Sequence, residues 1–138
     1  MISYVYSSCA VVAFSEADLV ELLRQSRENN TLAGITGLLL YKEGKFLQVL
    51  EGEDVPVRKL MARIEKDPRH DEVEVLRWEI LRERRFSAWS MGFKNLDNID
   101  IQQTPGYSEF MNEPLTSAEF KADPSRVWKL LRVFRELP

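Results

Sequence analysis

Ile35-Thr-Gly-Leu-Leu-Leu-Tyr-Lys-Glu-Gly-Lys-Phe-Leu-Gln-Val-Leu-Glu51 is the stretch from which the fold can be read. Ile35 to Tyr41 is rich in strand formers, Lys42-Glu-Gly-Lys45 is a polar turn with a glycine, and Phe46 to Glu51 is a second strand, so the whole predicts a β-hairpin. An apolar stripe at helical spacing flanks it on each side. Leu19, Leu22, Leu23 and Ser26 precede it, and Val57, Leu60, Met61 and Ile64 follow, each set at i, i+3, i+4 and i+7. Ser15-Glu-Ala-Asp18 is a capping box with Asp in the third position, which predicts a helix from about Glu16 to Glu28, with Asn29 and Asn30 as its enders. Pro56 falls in the first turn of the second helix, where its missing N–H is harmless, and Asp67-Pro68 ends that helix. Further out, Ile2 to Ser8 alternates as a first strand and Glu72 to Leu81 as a fourth. Phe86 to Phe93 supplies a last strand, connected by Arg82-Glu-Arg-Arg85.

The order β-α-β-β-α-β-β predicts an α+β, ferredoxin-like fold with one extra strand: a five-stranded mixed sheet with two helices on one face. After Asn95 the composition turns to Asp, Asn, Gln, Thr, Pro and Gly, through Gly106. Residues 1–95 are therefore predicted as one domain and residues 96–138 as a C-terminal helical extension. In the extension Tyr107 to Met111 reads as a short helix and Ser125 to Leu137 as a longer one, striped by Val127, Leu130, Leu131 and Phe134.

Composition narrows the function. The chain has 138 residues, 19 basic and 22 acidic, one His and one Cys. One cysteine forms no internal disulfide, and one His with one Cys cannot build a zinc site of the usual kind. A net charge of -3 argues against nucleic-acid binding driven by bulk charge. No apolar run approaches the roughly 18 residues of a membrane span, and no secretory signal is visible at the N-terminus. The expectation is a soluble, cytoplasmic domain without membrane or nucleic-acid partners.

Some residues fit a plain core poorly. Gln48 shares a strand face with Phe46 and Leu50, which puts a carboxamide between two large apolar side chains. If that face meets the helices, an unpaired amide costs about 1–3 kcal/mol. Otherwise the face is exposed, or the amide bonds nearby backbone. Tyr6 shares its face with Tyr4 and Ile2, and a buried Tyr needs a partner for its hydroxyl. Tyr6 and Gln48 satisfy each other only if the first strand lies beside the hairpin's second strand. Asn29 and Asn30 offer donors and acceptors suited to the edge of a planar heterocycle, or are ordinary helix caps. Arg63, Asp67, Arg69 and His70 crowd the end of the second helix, as a recognition cluster or as a solvated helix end. Trp89 and Met91 share a face with Phe93 and read by default as core.

Together these runs resemble the BLUF family of FAD-binding blue-light receptors. Tyr4-Val-Tyr-Ser-Ser8 is similar to that family's first strand. Asn29-Asn30 with Gly34-Ile-Thr-Gly-Leu38, Gly44-Lys-Phe-Leu-Gln-Val-Leu-Glu-Gly52, Arg63-Ile-Glu-Lys-Asp-Pro-Arg-His70 and Phe86-Ser-Ala-Trp-Ser-Met-Gly-Phe93 follow in family order, over roughly residues 1 to 95. The resemblance implies FAD, with the flavin ring between the two helices. Tyr6 would be the redox-active tyrosine and Gln48 would stand between it and the flavin. Asn30 would pair with the ring's pyrimidine edge and Arg69 with a carbonyl. Asn29 and Arg63 would lie towards the ribityl–phosphate side, Asp67 and His70 would support, and Ser26 would line the pocket. Trp89 and Met91 would relay the state of Gln48, and the resemblance leaves open which of them is nearer.

The implied activity is photochemical, not turnover. Light drives electron and proton transfer from Tyr6 and a change in the hydrogen bonds of Gln48, and the output is an altered contact with a downstream protein partner. Homo-oligomerisation is expected, because an amphipathic last helix and an open sheet face both need cover. An interaction module that kept the fold and lost the photochemistry is the alternative. An acylphosphatase-like hydrolase needs an Arg in a phosphate-cradling loop after the first strand, and Ser7-Ser-Cys-Ala10 supplies none.

Overall fold

The computed structural model describes residues 1–86 and 91–95. In chain order the elements are β1 (Ile2–Ala10), α1 (Glu16–Ala33), β2 (Thr36–Lys42), β3 (Lys45–Gly52), α2 (Asp54–Glu65), β4 (His70–Ile80) and β5 (Gly92–Asn95). The sheet order is β4-β1-β3-β2-β5. The first four strands pair antiparallel, the interleaving that two split β-α-β units produce, and β5 runs parallel to β2 along its outer side.

The hairpin closes through Glu43 and Gly44, both at positive φ (47° and 77°), with Lys42 opposite Lys45. This two-residue turn matches the strands' right-handed twist, and Gly44 takes its second position without a Cβ penalty. Helix α1 starts at the expected capping box: the Ser15 hydroxyl accepts from Asp18 N, and the Asp18 carboxylate accepts from Ser15 N. Its end differs from expectation. The helix passes through Asn29 and Asn30 and stops at Ala33, where Gly34 takes the left-handed conformation (φ 68°) and its N–H bonds back to Asn30 O and Thr31 O. A glycine adopts that cap more cheaply than Asn, so Gly34 sets the end and the two asparagines stay in the last turns.

The strand after α2 starts at His70, two residues ahead of expectation. The last strand does not start at Phe86, which sits in a bend with its N–H donated to a carboxylate. It starts at Gly92, so Met91 lies just ahead of it. Trp89 and the expected helices between Tyr107 and Leu137 fall outside the described residues.

Both helices bury their stripes on one face of the sheet. Leu19 and Leu23 of α1 and Val57 and Met61 of α2 join Ile2, Tyr6, Leu39, Tyr41, Phe46 and Leu50 in one apolar cluster. At roughly 25 cal/mol per Å² of buried apolar surface, such a cluster is the main force holding the layers together. The opposite face carries Val5, Leu38, Leu40, Leu47 and Val49, none with any exposed surface. Opposite β4, β1 slips register between Val5 and Tyr6 and again between Ser7 and Cys9. Irregularities of this kind re-aim side chains and gather beside functional sites.

Candidate functional site

A cleft of about 210 Å³ lies above the sheet, lined by residues of both α1 and α2. Its floor is the helix-side face of β1, β2 and β3, with Tyr6, Leu39, Phe46 and Gln48. One wall is α1, with Leu22, Gln25, Ser26, Asn29 and Asn30. The other is α2, the loop after it and the first residue of β4, with Leu60, Arg63, Ile64, Asp67, Arg69 and His70. All the residues expected to touch a cofactor line this cleft, including Asn30, which is buried to 2% exposure. An apolar floor ringed by amides, a carboxylate and guanidinium groups suits a flat heterocycle with polar edges.

The open question about Gln48 is decided by strand pairing. Tyr6 stands directly opposite Gln48 in the β1–β3 register. The Tyr6 hydroxyl donates to Gln48 Oε1, and Gln48 Nε2 donates to the thioether of Met91 at 3.3 Å. Gln48 is therefore buried and held at both ends by side chains, which decides against both alternatives, an exposed face and a bond to nearby backbone. Burial, with the charge of Asp67 adding to it, pushes the Tyr6 phenol well above its usual range. The phenol keeps its proton through ordinary pH, which is the form able to donate to Gln48.

Met91 is itself enclosed, at 1% exposure. Below it a Cβ added to Gly37 would stand 3.4 Å from Met91 Cε and 1.9 Å from Val49 O, so only glycine leaves this space.

Around the rim, Asp67 accepts from the Arg69 backbone N–H (2.9 Å) and pairs with its guanidinium (2.6 Å). The hydrogen bond from the Arg69 side chain holds the Asp67 carboxyl below the usual carboxylate range, against partial burial. His70 bridges β1 and α2: Nε2 lies 2.5 Å from Ile64 O and Nδ1 lies 2.8 Å from Ser8 Oγ. A carbonyl only accepts, so Nε2 donates to Ile64 O, while Nδ1 shares a hydrogen bond with the Ser8 hydroxyl. The ring meets Tyr6 edge-on, with centroids 6.4 Å apart. His70 thus shapes the floor behind the tyrosine. Sequence reasoning missed Phe14, Leu22, Gln25, Leu39, Phe46, Leu60 and Ile64 as lining residues; the strand parity of Leu39 and Phe46 and the helical stripes containing Leu22, Leu60 and Ile64 were the available signals.

The model of the family described as sensors of blue-light using FAD, BLUF, matches residues 1–92. The chain belongs to this family. It is a blue-light sensor domain of the flavin-binding type. It is 38% identical over 87 residues to the photoactivated adenylate cyclase subunit beta of Euglena gracilis, an alignment covering 62% of this chain and 10% of that protein. The chain thus spans about a tenth of the length of that curated relative. Among solved structures, the BLUF protein BlrB in its dark state is 30% identical with a TM-score of 0.78, covering 97% of this chain and 94% of BlrB. A bacterial light-regulated adenylyl cyclase is 32% identical with a TM-score of 0.67, covering 99% of this chain and 36% of the cyclase. Among the described residues no helix is long and apolar enough to cross a membrane, and no cluster of His, Cys, Asp and Glu is arranged to hold a metal.

Proposed function

We propose that Tyr6 and Gln48 form the photochemical switch of this sensor and that the cleft between α1 and α2 holds FAD by its flavin ring. The observation that carries this reading is the buried chain Tyr6 O–H to Gln48 Oε1, then Gln48 Nε2 to Met91 Sδ, on the cleft floor. A bound flavin supplies blue-light absorption and an excited state that is a strong oxidant. Tyr6, neutral and hydrogen-bonded, gives an electron and its phenolic proton, and both return. Gln48 has a donor end and an acceptor end, so turning or tautomerising it yields a second complete hydrogen-bond pattern rather than a broken one. The pattern that donates more strongly to a flavin carbonyl lowers the transition energy and gives a red shift.

Asn30 and Arg69 are assigned to the ring edge, and Asn29 and Arg63 to the ribityl–phosphate side. Ser26 lines the pocket, while Asp67 and His70 support Arg69 and the floor. The named pair Asn29-Asn30 supports this because both line the cleft from one helix. Met91, rather than Trp89 alone, relays the state of Gln48. The cofactor is taken as FAD from the family's description.

Output is a changed contact with a protein partner, without catalytic turnover by this domain, in a cytoplasmic homo-oligomer. Residues 1–95 are the sensor and residues 96–138 a helical extension. Supporting that extension, the stripe Val127, Leu130, Leu131 and Phe134 needs an apolar surface. The second sheet face is apolar and buried, while α1 and α2 both lie on the other side. The test is the absorption spectrum of the FAD-loaded protein before and after blue light. Bands that move to the red and relax in darkness support the reading, and bands that only bleach or stay fixed overturn it.

A further inference from the structure

We infer that Arg27 is a positioning residue that holds the Met91 backbone and passes the state of Gln48 to the surface of helix α1. This rests on the switch reading above and adds a route by which its state leaves the cleft. Arg27 is on the exposed side of α1, next to the pocket residue Ser26, yet its Nε donates to Met91 O at 3.0 Å across the gap to the last strand. Met91 is therefore held at two points of one residue: its sulfur by the Gln48 amide and its carbonyl by Arg27.

The two arrangements of Gln48 treat Met91 differently. With Nε2 towards the sulfur, a donor meets a weak acceptor. With the amide turned end for end, Oε1 faces the sulfur, two acceptors meet with no proton between them, and Met91 must withdraw. It cannot sink, because the sheet closes beneath it at Gly37, where not even a Cβ fits under Val49 O.

Upstream, Arg85 N and Phe86 N donate to the fully buried carboxylate of Glu51 at 3.0 and 2.6 Å, and Thr36 Oγ1 donates to it at 3.0 Å. Releasing that set would leave a charge without partners in the interior, which is among the costliest losses a fold can suffer. Arg27, by contrast, is an exposed residue whose bond to Met91 O is only part-buried, so water can take the place of the carbonyl. The displacement of Met91 is therefore absorbed at Arg27, and α1 carries it outward.

The test uses the full chain loaded with FAD, comparing wild type, Arg27→Met, Arg27→Lys, Met91→Ala and Arg27→Met with Met91→Ala. The readouts are the light-induced red shift and the rate of its dark recovery. Arg27→Met keeps the red shift, because Arg27 does not line the cleft. It slows recovery about fivefold, the effect of losing part of one charge-assisted hydrogen bond that favours the dark arrangement. Arg27→Lys retains a donor and lies between wild type and Arg27→Met. The double variant recovers no more slowly than the slower single one, since both act on one contact. Recovery of both Arg27 variants within about twofold of wild type, or effects of Arg27→Met and Met91→Ala that multiply, overturns the inference. A wild type that shows no red shift overturns the switch reading itself and the coupling with it.

Discussion

Gln48 and Glu51 stand three residues apart on β3, both are buried, and they do opposite things. Odd spacing on a strand puts them on opposite faces. Gln48 looks towards the helices, and its partners are a phenol and a thioether. Each partner tolerates a reversed amide to a different degree, so the environment supports two arrangements. Glu51 looks the other way and accepts from Thr36 Oγ1, Arg85 N and Phe86 N, while Arg84 bonds Glu51 O, Thr36 Oγ1 and Gly34 O around it. A carboxylate is acceptor-only, and every group aimed at it is a donor, so it has one arrangement. One strand thus carries a movable polar group on one face and a fixed one on the other, and the difference is set by partner chemistry rather than by depth.

The largest effect expected from this contrast is on the movable side. Gln48→Leu removes both ends of the amide while keeping the volume close, and the light-induced red shift is lost entirely in the absorption difference spectrum. A retained full shift would break the comparison at once. Next comes the fixed side. Glu51→Gln points an amide N–H at a backbone donor, and unfolding in denaturant shows a loss of about 2 kcal/mol, with the dark flavin spectrum unchanged. If Glu51→Gln altered the red shift instead of stability, the division of labour between the two faces would be wrong.

Gly37→Ala sharpens the account of the floor. The new methyl meets Val49 O and presses towards Met91, so a stability loss of about 1–3 kcal/mol comes with a changed dark-recovery rate. Stability loss alone would mean that Met91 does not feel the floor.

The smallest effect is at the rim. The Asp67 carboxyl has its pKa lowered in the folded protein, chiefly by the hydrogen bond from the Arg69 side chain. Its contribution is present above its unfolded value, about pH 3.9, and is lost as pH falls through the lower folded value. Asp67→Asn therefore flattens the acid limb of a stability–pH curve by under about 1 kcal/mol and leaves neutral stability lower by that amount.

Much of this was legible in residue spacing. The hairpin, both helical stripes and the shared parity of Phe46, Gln48 and Leu50 follow from periods of two and 3.6 residues. The residues quoted for the cofactor site come together in one cleft because β1 pairs with β3, an adjacency that the split β-α-β order suggests. What escaped depends on competition or on distance in sequence. Asn30 looked like a helix end until Gly34, four residues on, proved the cheaper cap. Phe86 looked like a strand residue, because nothing local says that its N–H goes to Glu51 across 35 positions. Arg27 sits in a charged run of α1 that reads as solvent-facing, and only the tertiary approach of Met91 gives it a partner.

The most direct test of the central claim is the light-minus-dark infrared spectrum of the flavin-loaded protein. The account predicts a flavin carbonyl stretch that moves to lower frequency on illumination and returns in the dark, since a rearranged Gln48 donates more strongly to that oxygen. A visible red shift with the carbonyl band unmoved would contradict it.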